Sequence, residues 1–208
     1  ASIGTLLRKQ DHVQALADKP QLLASCGRPS FATTVRLVTP EGADVPPGET
    51  GEIIFGGPHT MRAYFREPDR TAEALIGGWL HSGDVGRVDD EGYFYIVDRI
   101  KDLIIRGGYN LAPSEVEKVL YTHPAVLDAA VVGIPDEKWG EAVLAVVAFK
   151  PGRSATPEEL LQLCRSSSLS SIKQPERVEI VDSMPRNTIG KIDKKAVRER
   201  YWVGRRKV

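Results

Sequence analysis

Apolar and polar residues alternate through Thr34-Val35-Arg36-Leu37-Val38, the pattern of a strand with one buried face. Glu52-Ile53-Ile54-Phe55 predicts a second strand, closed by Gly56-Gly57-Pro58. Pro40-Glu41-Gly42 and Pro46-Pro47-Gly48 carry turn chemistry between them. Pro68 to Leu75 reads as a short helix with proline at its first position. After Trp79-Leu80, the runs Val85–Val88 and Tyr93–Val97 flank Asp89-Asp90-Glu91-Gly92 and should pair as a hairpin. The first thirty residues are the least periodic, with Leu6, Leu7, Val13 and Leu16 as apolar anchors on loops or short helices. Residues 1–100 thus predict a small β-rich subdomain, either a distorted barrel or a distorted sheet.

The style changes after Asp98-Arg99-Ile100-Lys101-Asp102. Leu103-Ile104-Ile105 is a short apolar run. Pro113 can open a helix with Val116, Val119 and Leu120 on one face, ended at His123-Pro124. Val126–Ile134 and Glu141–Phe149 are strong β runs. Thr156-Pro157-Glu158-Glu159 is a capping box ahead of a helix that should bury Leu160, Leu163 and Cys164. Arg177–Val181 predicts a strand and Asp193–Arg200 a final helix. Residues 101–208 therefore predict a compact α+β domain, a short sheet flanked by helices.

Composition narrows function more than fold. The 208 residues carry no formal net charge, so nothing global points to nucleic acid or an anionic membrane. The one basic cluster, Arg205-Arg206-Lys207, reads as a solvated tail. No apolar run reaches membrane length. Two distant cysteines, Cys26 and Cys164, suit free thiols in a reducing compartment, so a cytoplasmic location is the default.

Four stretches could carry chemistry. In His81-Ser82-Gly83-Asp84-Val85-Gly86, an Asp between glycines can offer its carboxylate to two ribose hydroxyls; a simple Asp turn is the alternative. In Asp98–Asp102, Arg99 offers fixed donors to ribose or phosphate, or closes a salt-bridged strand end. Gly107-Gly108 with Trp139-Gly140 could wall a narrow slot for an extended ligand; a plain Gly-Gly hairpin and a packed aromatic are the alternatives. Met184–Asp193 sets Pro185, Asn187 and Gly190 ahead of Lys191, a mobile loop whose Lys191 could neutralise growing charge or simply be solvated.

In this order the motifs resemble the adenylate-forming superfamily of acyl-CoA synthetases, peptide-synthetase adenylation domains and beetle luciferases. The match rests on Gly83–Gly86, Asp98–Gly108 and Pro185–Lys191, and covers the chain from about Gly27 onward. Gly133–Glu141 is most similar to the acyl-CoA synthetase branch. The resemblance implies a ligase that makes an acyl-adenylate from ATP and a small carboxylic acid, then a thioester with CoA. It implies Asp84 and Arg99 on the ribose, Lys101 as hinge, and Lys191 between the acid and the α-phosphate. It places Gly107, Gly108 and Trp139 along the pantetheine path and Lys173 near CoA; Gln174 departs from a family phosphate contact. Magnesium is expected with ATP but has no assignable ligand.

The superfamily's Gly/Ser/Thr-rich phosphate loop and its Tyr-Gly-x-Thr-Glu motif are missing. The resemblance therefore implies the last β subdomain of a large N-terminal domain plus a mobile C-terminal domain, with the rest of the large domain as partner and little activity alone. An adenylation domain serving a carrier protein and a non-catalytic nucleotide-binding module are the alternatives. A homodimer is an option the sequence leaves open, as it does the acid.

Overall fold

The computed structural model describes residues 4–46 and 48–204. Arg205-Arg206-Lys207 therefore lies outside the described residues. The chain divides into two compact units, Ala1–Lys101 and Asp102–Val208, and the fold is mixed α+β.

In the first unit, β1 (Thr5–Leu6) pairs with β2 (Arg28–Pro29), and α1 (Lys9–Ala17) fills much of the span between them. This helix was hidden from a periodicity reading because its inward residues are Asp11 and Ala15, while Val13 and Leu16 face out. Asp11 is buried and ties down the start of the helix, accepting from the Arg8 backbone N–H at 2.7 Å. The Tyr93 hydroxyl donates to its other oxygen at 2.9 Å.

An open sheet follows. Strands β3 (Thr34–Val38), β4 (Gly51–Gly56), β6 (Trp79–Val88) and β5 (Leu75–Ile76) run antiparallel in that order, and β7 (Phe94–Arg99) pairs with the far half of β6. Of the two options, barrel or distorted sheet, the structure has the sheet. Leu37, Ile53 and Phe94 form one small core on it; Ala15, Leu22, Tyr93 and Tyr95 form another. The helix α2 (Pro68–Ala74) begins at its proline and buries no residue.

The second unit is built on a long hairpin, β10 (Val126–Asp136) with β11 (Gly140–Phe149). On β11's other side lie β12 (Arg177–Ile180), parallel, and β8 (Ile104–Arg106), antiparallel; β9 (Tyr109–Leu111) completes the edge. Helices α3 (Pro113–Leu120) and α4 (Pro157–Arg165) cover one face, burying Val116, Leu120, Leu160 and Cys164 against Val131, Val143, Ala145 and Val147. Leu163 is only half-buried. The capping box of α4 forms as expected, Thr156 Oγ1 accepting from Glu159 N and Glu159 Oε2 from Thr156 N. Helix α5 (Lys194–Glu199) sets Val197 on the opposite face, with Met184, Val132, Leu144 and Val146. The continuous apolar runs of β10 and β11 have this cause: both faces of their sheet are covered.

Candidate functional site

Asp84 is presented from a bulge. The register between β4 and β6 shifts, so that Glu52 faces Val85 while Ile54 faces His81. Residues 82–84 stand opposite Ile53 alone, a surplus of two, and side chains stitch them down. Ser82 Oγ donates to the Ile53 carbonyl at 2.6 Å and accepts from Asp84 N at 3.0 Å. Glu52 Oε1 accepts from Gly83 N at 2.9 Å, and its Oε2 lies 2.7 Å from His81 Nδ1. Gly83 sits at φ +73°, where a side chain would strain the backbone. A bulge beside a strand register is a recurrent way of re-aiming one side chain, here the Asp84 carboxylate.

Across the ladder, Asp84 pairs with Arg99 of β7. The Arg99 Nε donates to Asp84 Oδ1 at 3.1 Å, and the arginine side chain stays 58% exposed, so the rest of its fork remains open to a ligand. The next residue but one, Lys101, is exposed on a 3₁₀ turn, Ile100–Asp102. Ser82, Gly83, Arg99, Ile100 and Lys101 line an open depression of about 370 Å³. A larger groove of about 500 Å³ beside α2 contains none of the sequence-predicted site residues.

In the second unit, Lys191 closes a turn wound around Asn187. The Asn187 side-chain oxygen accepts from Ile189 N at 3.1 Å and Lys191 N at 3.0 Å. The Asn187 N–H donates to the Lys191 carbonyl at 2.8 Å, and Gly190 N to the Asn187 carbonyl at 2.9 Å. Asn is suited to this because its short side chain can bond backbone two to four residues on. The loop expected to be mobile is thus densely tied. Asp193, just beyond, caps α5 by accepting from Ala196 N at 3.1 Å.

Gly107 and Gly108 are the turn between β8 and β9, both at positive φ. The Gly107 N–H donates to the Trp139 carbonyl at 2.8 Å. A Cβ on Gly107 would come within 2.8 Å of the Trp139 ring, whereas one on Gly108 would meet nothing within 4 Å. The indole therefore lies on Gly107, and the open side of the hairpin is at Gly108. Trp139 is 41% exposed, with Lys138 Nζ 4.9 Å from its ring centroid. Lys173 gives its ammonium to both oxygens of Glu115, at 2.9 and 2.7 Å. Gln174 Nε2 donates to the Leu169 carbonyl at 3.2 Å.

The sequence reading missed Glu52, Ser82 and Asn187 as builders of these sites. The first two stand on different strands, and only the bulge brings them together. Asn187 was legible as a turn residue but not as the hub of this one. Among the described residues, no group of three or more His, Cys, Asp or Glu is placed to hold a metal ion. No helix among them is long and apolar enough to cross a membrane.

Comparison with known proteins places the chain in a family. The model described as "AMP-binding enzyme" matches residues 4–65, and that described as "AMP-binding enzyme C-terminal domain" matches residues 115–191. A feruloyl-CoA synthase of Amycolatopsis sp. is 47% identical over 201 residues, covering 97% of this chain and 40% of the relative. A medium/long-chain-fatty-acid–CoA ligase of Mycobacterium tuberculosis, FadD8, is 44% identical over 207 residues, covering 96% of this chain and 35% of the relative. The amide bond synthetase McbA of Marinactinospora thermotolerans has a solved structure that superposes with a TM-score of 0.81 at 42% identity, over 94% of this chain and 39% of that one. The chain thus spans 35–40% of the length of these relatives. With matches falling on both of its units, the chain belongs to the family of AMP-binding enzymes.

Proposed function

We propose that this chain is part of an ATP-dependent ligase that joins a carboxylic acid to CoA through an acyl-adenylate. The observation that carries the reading is Lys191, an exposed cation held on a turn whose backbone is fixed by four hydrogen bonds. A fixed cation costs little reorganisation when charge develops on a reacting oxygen.

In the first step, the acid's carboxylate oxygen attacks the α-phosphorus of ATP and pyrophosphate leaves. Lys191 supplies positive charge to the oxygens that crowd there. Asp84 accepts from the two ribose hydroxyls, and Arg99 orients it through the 3.1 Å bond while offering its remaining donors to the sugar. In the second step the CoA sulfur attacks the acyl carbon, AMP leaves, and the thiol proton goes to solvent. Gly107, Gly108 and Trp139 give the pantetheine arm a narrow, side-chain-free approach, and Lys173 gives the nucleotide end a cation once released from Glu115. Lys101, the last residue of the first unit, is the hinge in this reading. Magnesium would arrive with ATP, and no residue of this chain is assigned to it. The feruloyl and fatty-acyl relatives support an acid–CoA ligase but differ in the acid they name, so the acid is left as a class.

The test is a separation of half-reactions in the full-length enzyme. Lys191→Ala should lower adenylate formation by roughly 10²-fold or more, as loss of one preorganised charge donor does. Thioester formation from supplied acyl-adenylate should be largely preserved. Equal loss of both would remove the role given to Lys191. Turnover with free CoA, against a phosphopantetheinylated carrier protein or an amine, identifies the acceptor; the amide bond synthetase relative makes the amine arm informative.

A further inference from the structure

The Lys191 turn is anchored to the sheet by a second pair of residues. Arg186 lies just before the turn and forms an isolated β-bridge with Ile192 just after it. Its Nη1 donates to the Gly190 carbonyl at 2.9 Å, inside the turn. Its Nη2 donates to Asp128 Oδ2 at 2.7 Å. Asp128 stands on β10, at the register shift between Val126 and Asp128, and only 15% of its side chain is exposed. One guanidinium therefore bridges a carbonyl of the lysine-bearing turn and a nearly buried carboxylate on the central hairpin.

A second tie acts on the far side. Lys194, on the first turn of α5, reaches Glu117 of α3 at 2.8 Å, and Glu117 also accepts from Val131 N at 2.8 Å. The segment from Arg186 to Lys194 is thus tied at one end to Asp128 of β10 and at the other to Glu117 of α3, which itself accepts from Val131 N of β10, with Lys191 between. In the structure the Arg186 guanidinium satisfies both partners at once, Nη1 on the Gly190 carbonyl and Nη2 on Asp128. Arginine's planar fork suits this task and lysine's single ammonium does not.

We propose that Arg186 and Asp128 are positioning residues for Lys191, a strut that fixes where its ammonium can reach during adenylate formation. The proposal rests on the reading of Lys191 given above. It carries no substrate contact for either residue; both act through the turn.

The experiment is a double-mutant cycle in the full-length enzyme, assayed for each half-reaction. Arg186→Lys and Asp128→Asn should each cut kcat of adenylate formation roughly ten- to hundredfold, the scale of an ångström of misplacement. KM for ATP and thioester formation from supplied acyl-adenylate should hardly change. Each variant combined with Lys191→Ala should be no worse than Lys191→Ala alone, because the strut has nothing left to position. Tryptic cleavage after Lys191 in the folded full-length enzyme should be faster in both strut variants. If Lys191→Ala itself spares adenylate formation, the reading of Lys191 falls. If Lys191→Ala cripples that step while the strut variants leave it intact, or if their losses add to it, the strut falls and the lysine stands. Equal loss of both half-reactions in Arg186→Lys, the variant that keeps charge and bulk, would also overturn the strut.

Discussion

At the scale of single residues, the glycines separate cleanly by what surrounds them. Gly133 lies under Glu141, and a Cβ there would stand 1.9 Å from Glu141 Oε2. That oxygen accepts from Ile105 N at 3.1 Å, on a carboxylate only 2% exposed. Gly133→Ala should therefore destabilise the second unit by about 1–3 kcal/mol, since it pushes the buried Glu141 carboxyl off its donor. Urea unfolding would measure it. Gly107 and Gly108 make a paired control. Both alanine variants take the strain of positive φ, about 1 kcal/mol, but only Gly107→Ala meets the Trp139 ring. It should cost more and shift tryptophan emission, while Gly108→Ala should leave emission unchanged. Gly108→Leu compared with Gly108→Ala then isolates bulk on the open side of the hairpin, and bulk should slow the thioester step alone. The Gly107-Gly108 pair was legible as a turn from sequence; which glycine the indole covers was not, because Trp139 reaches it from another strand connection.

At the scale of elements, the signal in the sequence was strong wherever one face or both faces were apolar and weak where polar groups did the joining. Helix α4 announced itself through its capping box, and β10 and β11 through unbroken apolar runs. Helix α1 did not, because a buried carboxylate stands where a periodicity reading looks for a hydrophobe. Burial alone would raise the Asp11 carboxyl; the Arg8 N–H and Tyr93 hydroxyl outweigh it and hold the group below its ordinary value. A carboxyl lowered on folding adds stability above its unfolded pKa and loses it as pH falls through the folded one. Asp11 should therefore contribute fully above about pH 4 and fade below it. Asp11→Asn should flatten the acid limb of the stability profile, followed by circular dichroism between pH 5 and 2. The β6 bulge was half legible: Gly83-Asp84 stood out, but its stitches, Glu52 and Ser82, come from a register shift that no local pattern encodes. Glu52→Ala should loosen the Asp84 loop, raising KM for ATP roughly tenfold, the worth of one or two hydrogen bonds to a charged group. Asp84→Asn should raise it without the accompanying loss of His81's partner.

For the whole molecule, the two units differ in how they bury apolar surface, and that difference is testable without any ligand. The second unit packs hydrophobes on both faces of one sheet: Val116, Leu120, Leu160 and Cys164 on one, Met184 and Val197 on the other. Burial pushes the Cys164 thiol up to about 11, so it should resist alkylation at neutral pH until this unit opens. The first unit has two small cores, and it leaves Val13, Leu16, Phe31, Phe65 and Ile76 more than half exposed. Each buried large aliphatic side chain is worth about 1.5–3 kcal/mol against the entropy of ordering the chain. That balance favours the second unit and leaves the first near marginal. A piece comprising residues 102–204 should therefore unfold in one cooperative transition, with slow amide exchange along β10 and β11 and Cys164 protected until the midpoint. A piece comprising residues 4–101 should show a broad transition and bind hydrophobic dye. If the two pieces unfolded with equal cooperativity, the two-sided sheet would not be the source of the second unit's stability. Its two polar ties, Arg186–Asp128 and Lys194–Glu117, would then be the next candidates.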